Sequence, residues 1–320
     1  MSTIKDVARL AGMSISTVSR FINGTVPVSK KAEEQINKAI NELNFIPNTY
    51  AGQLKKKHSN FIAMVVPDIN NPIFSKLITN LERRIKERGF VLMLFNTSHK
   101  RDITEEVIKT IISYRAYSVI VIGRALYPEN YDELKRLKIQ TLILEDKYDG
   151  LGSLVLDNKR IGYEQTKYLH QRGFTKILFA GKSEHIPATL SRYEGYVDYV
   201  KTHNLPKIKP LTTEFLEVED VLSRVSEEIL KPVDAVVCSS DMVAFGLLKF
   251  ANSKGIKIPK DLSIIGCDNN PYSEILQPPL TSVKFPIDEV TDQVIDYFFS
   301  KTPKGLANLP IEIVERESVL

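Results

Sequence analysis

The stretch Thr3-Ile-Lys-Asp-Val-Ala-Arg-Leu-Ala-Gly-Met-Ser-Ile-Ser-Thr-Val-Ser-Arg-Phe-Ile-Asn-Gly24 writes two short helices and the tight turn between them. Thr3 stands where an N-cap is wanted, and Ile4, Val7, Ala8 and Ala11 recur at the spacing that lays one apolar stripe along a helix. Gly12 follows where a left-handed residue closes a helix, and Ser14 is placed to cap the second one. There Ile15, Val18, Phe21 and Ile22 can face inward while Ser16, Thr17, Ser19 and Arg20 face out. A short hydroxyl-rich face with one guanidinium suits a groove of DNA, so the pair reads as a helix-turn-helix.

The distribution of charge points the same way. Residues 1–58 carry nine basic and four acidic side chains, a net +5, while the whole chain of 320 residues totals +4. The remainder is therefore slightly acidic, and a polyanion partner is expected for the N-terminal piece alone. With 43 % apolar residues the rest of the chain can bury one or two further cores. Cys238 and Cys267 each end a predicted buried strand and read as reduced thiols of a cytosolic protein. No apolar run approaches the roughly 18 residues of a membrane span, and the N-terminus lacks the apolar core of a signal peptide. A cytoplasmic protein is expected.

Beyond Gly24, residues 25–29 form a loop, and Ser29 can cap a third helix with Ala32, Ile36, Ala39, Ile40 and Leu43 on its inner face. Pro47 stops that helix. Asn48 can cap another short one through Tyr50, Ala51 and Leu54, before the polar stretch 55–60, whose lysines serve equally as a solvated tether or as phosphate contacts. From Phe61 the pattern changes to largely apolar strands (61–66, 90–95, 118–122, 140–144) alternating with amphipathic helices (73–88, 105–113, 129–137). After 151–156 a second such run follows: helix 160–172, strand 176–180, helices 192–203 and 218–230, strand 234–238, helix 241–254 and strand 262–267. Such alternation calls for parallel sheets covered on both faces, with ligands beyond the carboxyl ends of the strands. The polar residues there are Asp68, Asn70, Asn71, Arg124, Glu145 and Asp146 in one half, and Ser239, Ser240, Asp241, Asp268 and Asn269 in the other.

From end to end the chain resembles the lactose repressor/galactose repressor (LacI/GalR) family of bacterial transcription regulators. Ile4-Lys-Asp-Val-Ala-Arg-Leu-Ala-Gly12, Ser16-Thr-Val-Ser-Arg20, Asn23-Gly24 and Pro47-Asn48 follow the family headpiece. Val66-Pro-Asp-Ile-Asn-Asn-Pro-Ile-Phe74, Asp157-Asn158, Arg192-Tyr-Glu-Gly-Tyr196, Ser240-Asp-Met-Val-Ala-Phe-Gly246, Ile265-Gly-Cys-Asp-Asn269 and Pro279-Leu-Thr-Ser-Val283 follow its core. The resemblance implies a helix-turn-helix headpiece at 1–47 and a hinge helix with linker at 48–60. It implies an α/β core at 61–320 of two doubly wound parallel-sheet subdomains similar to periplasmic sugar-binding proteins, one about 61–157 plus 287–309, the other about 158–286 plus 310–320.

For function the resemblance implies a homodimer that lays one recognition helix per subunit into successive major grooves of a pseudo-palindromic operator. Ile15, Ser16 and Arg20 match positions that face base edges, and Thr3, Ser14, Thr17, Ser19 and Asn23 match phosphate contacts, although local capping explains hydroxyls such as Ser14 as well. Asn48, Ala51 and Leu54 match a hinge helix that folds in the minor groove, with Leu54 as the wedge between base pairs. Gly52 departs from the usual Arg or Gln and costs that helix roughly 1 kcal/mol of propensity.

In the core, Phe74 and Phe215 match residues that pack on an effector, and Glu145, Arg192, Ser240 and Asp268 match residues that bond its polar groups. Plain core packing for the two rings, and an interdomain ion pair for Arg192, are the structural alternatives. A sugar, a sugar phosphate and a sugar acid all remain open, and Ser240 departs from the Asn often found there. Whether the effector induces or corepresses is open too, and the alternatives are control by a protein corepressor and a sugar-binding protein without regulatory role. No leucine heptads follow the core, so a dimer is expected rather than a tetramer. No metal and no cofactor is expected, and an enzyme is not, because the histidines lack metal-ligand spacing and no phosphate-cradling glycine loop is present.

Overall fold

The computed structural model describes residues 2–22, 27–45, 59–98, 100–300, 309 and 311–320. Two compact units divide between Ser59 and Asn60. Asn23 and the hinge positions Asn48, Ala51, Gly52 and Leu54 lie outside the described residues.

The first unit packs α1 (Ile4–Leu10), α2 (Ile15–Ile22) and α3 (Lys30–Glu42) around Val7, Ala8, Ala11, Val18, Ile36 and Ala39. Its turns follow from side-chain chemistry. Thr3 is the N-cap of α1, as expected, and in a capping box the Asp6 carboxylate accepts from the Thr3 amide at 3.0 Å and from the Thr3 hydroxyl at 2.7 Å. The Thr3 hydrogen bonds lower the Asp6 carboxyl below its ordinary value. Gly12 adopts φ +66° after α1, and the Ser14 hydroxyl accepts from the Thr17 amide at 3.1 Å at the start of α2. Ile15 differs from the inward-facing expectation, since its side chain is 47 % exposed. Helical side chains lean toward the N-terminus, and at the first position of α2 no preceding turn lies under Ile15.

The second unit holds two sheets. β1 (Phe61–Val66), β2 (Val91–Asn96), β3 (Ser118–Ile122), β4 (Gln140–Leu144) and β5 (Gly152–Leu154) form a parallel sheet in the order β2-β1-β3-β4-β5. Helices α4 (Pro72–Lys86), α5 (Arg101–Ser113) and α6 (Pro128–Arg136) connect those strands. Both faces of β1 are buried, which is why its sequence is apolar without alternation.

The second sheet contains β6 (Ile177–Lys182), β7 (Leu211–Thr212), β8 (Ala235–Cys238), β9 (Ser263–Asp268), β10 (Thr281–Lys284) and β11 (Ile313–Val314) in the order β11-β10-β9-β8-β6-β7. All pairs are parallel except β10 with β11. Its helices are α7 (Asn158–Gln171), α8 (Pro187–Thr202), α9 (Val218–Arg224), α10 (Glu227–Leu230) and α11 (Asp241–Ser253). After β10 the chain returns to the first half as α12 (Ile287–Phe299), whose Ile287, Val290, Val294, Ile295 and Phe298 join the core under β1, β3 and β4. Both cysteines are free and buried, and among the described residues no helix is long and apolar enough to cross a membrane.

Three helices differ clearly from their sequence-based bounds, and the one expected over 105–113 begins at Arg101. The helix expected from Arg192 begins at Pro187, where the fixed φ of proline suits a first turn. The helix expected over 218–230 breaks at Val225, which takes an extended conformation (φ −78°, ψ 141°) and buries its branched side chain against Val221 and Leu230.

Helices α7 and α8 approach until their backbones touch. A Cβ on Gly162 would lie 1.8 Å from the Arg192 carbonyl oxygen, and one on Gly195 would lie 1.8 Å from that of Lys159. This contact sets the height of Arg192 over the second sheet. Gly195→Ala is therefore expected to cost ~1–3 kcal/mol or more as the helices are forced apart, read as a lower melting temperature; an unchanged melting curve contradicts the close approach.

Candidate functional site

A cavity of about 160 Å³ lies between the carboxyl ends of the two sheets, enough for on the order of ten waters or a small organic molecule. Phe74, Glu145, Arg192, Phe215, Ser240 and Asp268 all line it. Of the other polar residues at strand ends, Asp68, Asn71 and Arg124 also line it. Several of the remainder are engaged elsewhere. Asp146 pairs with Arg124 at 3.5 Å, the Ser239 hydroxyl donates to the Gly181 carbonyl at 2.8 Å, and Asn269 accepts from Arg316 at 2.8 Å.

Elements from both halves hold these side chains. Phe74 projects from the first turn of α4, which Asn71 caps by accepting from the Ile73 amide at 3.2 Å. Phe215 precedes α9, and the His185 ring stacks against it with centroids 6.1 Å apart. Ser240 caps α11 by accepting from the Val243 amide at 3.3 Å, which leaves its hydroxyl proton available to a ligand. Glu145 and Asp268 sit at the ends of β4 and β9 with φ of +62° and +117°. Left-handed backbone at a non-glycine residue is costly and recurs where a side chain must be aimed.

The polar floor is a continuous chain of bonds. Glu145 accepts from the Leu156 amide at 2.9 Å through one oxygen and from the Asn158 side-chain amide at 2.8 Å through the other. The Asn158 carbonyl oxygen accepts from Arg192 Nε at 2.8 Å, and an Arg192 terminal nitrogen donates to the Ser239 carbonyl. Arg192 then lies 3.9 Å from Asp268. The expected carboxylate partner of Arg192 is thus in its own half, and the link to the other half runs through Asn158. Burial pushes the Asp268 carboxyl up to about 8, against the opposing charge of Arg192. Behind it, burial raises Asp241 as well, opposed by hydrogen bonds from Ser282, Ser273 and the Asn270 amide.

Asn158, His185 and Glu217 were not singled out by the sequence as site residues. Asn158 follows the α7 cap Asp157, and the match of Asp157-Asn158 to the family core does not by itself reveal its side-chain partners. His185 lies in the turn before Pro187, a turn displaced by the late sequence-based start of α8.

On the headpiece, Ile15, Ser16 and Arg20 are exposed along α2, with Thr17 and Ser19 half-buried beside them. Thr3 and Ser14 are exposed as well, and the Ser14 hydroxyl lies 2.8 Å from those of both Ser16 and Thr17. Capping and an outward polar face therefore coexist at Ser14.

Residues 3–48 match the family described as bacterial regulatory proteins, lacI family, and residues 166–319 match a periplasmic binding protein-like domain. The chain is 32 % identical to the HTH-type transcriptional repressor PurR of Vibrio atlanticus over 100 % of its own length and 99 % of the relative's. The chain belongs to the LacI family. It is a DNA-binding transcription regulator, in a family of regulators rather than of enzymes. The ribose operon repressor of Escherichia coli is 31 % identical over 92 % of each chain. Among solved structures, the LacI-family fold is matched by a lac repressor dimer bound to operator and the anti-inducer ONPF (TM-score 0.83, 22 % identity, 100 % of this chain and 99 % of that one). A complex of the transcriptional regulator CelR with cellobiose has a TM-score of 0.71 at 23 % identity, covering 99 % of this chain and 100 % of that one.

Two outcomes follow for this LacI-family core. Asn158→Ala strips Glu145 and buried Arg192 of a partner, and is expected to cost ~1–3 kcal/mol in denaturant unfolding. Asp268 ordinarily titrates near 3.8 and in the fold at about 8, so between those values the folded chain holds a proton that the unfolded chain has released. Stability is full below the lower value and is lost as pH rises through the higher one. Asp268→Asn is expected to flatten that fall, checked by unfolding at about pH 5 and about pH 8; equal slopes in both proteins contradict a raised Asp268.

Proposed function

We propose that the chain is a dimeric repressor whose operator affinity is set by a small polyhydroxylated effector in the cleft. The convergence of Phe74, Phe215, Glu145, Arg192, Ser240 and Asp268 on one cavity between two sheets carries this reading. Apolar rings suit the faces of a sugar ring, and the polar floor beneath suits its hydroxyls. Relatives of the same fold support the chemistry, one in complex with cellobiose and another with D-xylulofuranose. Effector binding shifts the balance between open and closed arrangements of the two halves. Operator affinity changes by the ratio of effector affinities for the two states.

The headpiece reads the operator through α2. Arg20 suits bidentate contact with guanine and Ile15 an apolar contact such as a thymine methyl, with Ser16 beside them. Thr3, Ser14, Thr17, Ser19 and Asn23 fix register on phosphates, and Asn48, Ala51 and Leu54 engage the minor groove. The lac repressor dimer on its operator is the assembly that supports this arrangement.

Operator selection from random duplexes, followed by affinity measurement at fixed salt, tests the reading. Arg20→Ala is expected to weaken the selected site by ~5–150-fold and to relax preference at one base pair in each half-site. Ser19→Ala is expected to weaken selected and random DNA alike. Unchanged sequence preference in the Arg20 variant contradicts the assignment of α2 as the reading helix.

A further inference from the structure

The charges lining the cleft are unbalanced. Asp68, Glu145 and Glu217 contribute carboxylates, and Asp268 a carboxyl that burial holds toward its protonated form, against the guanidiniums of Arg124 and Arg192. Both guanidiniums are already paired within the protein. Arg124 lies 3.5 Å from Asp146, and Arg192 is bonded to Asn158 and the Ser239 carbonyl with Asp268 at 3.9 Å. His185, the other basic side chain of the lining, has its ring stacked on Phe215. A phosphate or carboxylate entering here would meet carboxylates before it met an uncommitted cation.

Two of the carboxyl groups are placed differently from the floor. Glu145 has both oxygens occupied by the Leu156 amide and Asn158, and Asp268 faces Arg192. Asp68 follows β1 in the first half, where one oxygen accepts from the Asn70 amide at 2.9 Å, and Glu217 stands at the start of α9 in the second half. They look at one cavity from opposite sides. Asp68 is half-buried and Glu217 exposed at the cavity mouth; partial burial, and then the charge of Asp68, raises the Glu217 carboxyl above its ordinary value, as expected for like charges facing one cavity. Closing the halves on a neutral ligand brings these charges nearer and is opposed by their repulsion. A ligand that places a cation between them converts the same pair into attraction across the cleft.

We infer that the effector is an amine-bearing polyol, its ammonium held between Asp68 and Glu217 while its hydroxyls bond the Arg192 and Asp268 floor, and that sugar phosphates and sugar acids are excluded. This rests on the cleft being the effector site, as proposed above. Ammonium bound by two carboxylates gives charge-assisted hydrogen bonds to both halves at once, so the closed state gains affinity that the open state lacks.

The test uses the full-length chain in calorimetry and thermal-shift assays at neutral pH and fixed salt. The probes are pentoses, hexoses and disaccharides, each as the neutral sugar, the amino sugar and the phosphate ester. The amino form of at least one sugar is expected to bind about tenfold or more tighter than its neutral counterpart, with the phosphate weakest, and this preference is expected to shrink in high salt. The double variant Asp68→Asn with Glu217→Gln is expected to bind amino and neutral forms alike. Tighter binding of a phosphate or neutral form, or an amine preference that survives in the double variant, overturns the inference while leaving the effector reading in place. Binding of no polyol in any charge state overturns both.

Discussion

The bond chain from Glu145 through Asn158 to Arg192 and Asp268 is the constraint on which the core depends. It begins at the end of β4 in one sheet and ends at β9 in the other, and its middle member opens the helix that starts the second half. Each link repairs a cost created by its neighbour. A buried guanidinium needs acceptors, and Asn158 and the Ser239 carbonyl supply them; the nearby Asp268 carboxyl is raised by burial, an effect that the guanidinium only partly opposes. The close backbone contact at Gly162 and Gly195 carries Arg192 to the height at which these bonds form. A ligand hydroxyl that joins this floor alters bonds made by both halves at once, which gives a small molecule leverage on their relative position.

Much of this was legible in the sequence where periodicity and end signals coincide. The apolar runs at 61–66 and 118–122 lack alternation because both faces of their sheet are covered, and those strands sit where they were expected. The six residues proposed to meet the effector line one cavity, and for Glu145, Ser240 and Asp268 this follows from their place at or just beyond strand ends, which converge in a parallel sheet. The sequence places Ile15 both on an apolar stripe and at a position matched to a base contact, and its exposure removes the inward-facing alternative only.

The parts that were not legible depend on contacts between distant segments. Nothing local distinguishes Asn158 from any helix-opening asparagine; its role comes from Glu145 on one side and Arg192 on the other. The return of α12 to the first half follows from which core its apolar face completes, and β10 and β11 are short strands defined by their partners. The break at Val225 likewise reflects burial among residues from several elements, which overrides helix propensity in a short segment.

The central claim is an energetic coupling between the cleft and the DNA-reading face, and linkage makes it measurable from either end. Effector affinity of the full-length chain, measured with operator absent and with operator saturating, tests it most directly. The predicted result is a change in effector affinity by the same factor by which effector changes operator affinity, in the range of about 5–150-fold. Effector affinity identical in the free and operator-bound chain would contradict the coupling, and leave the cleft and the headpiece as two independent binding modules.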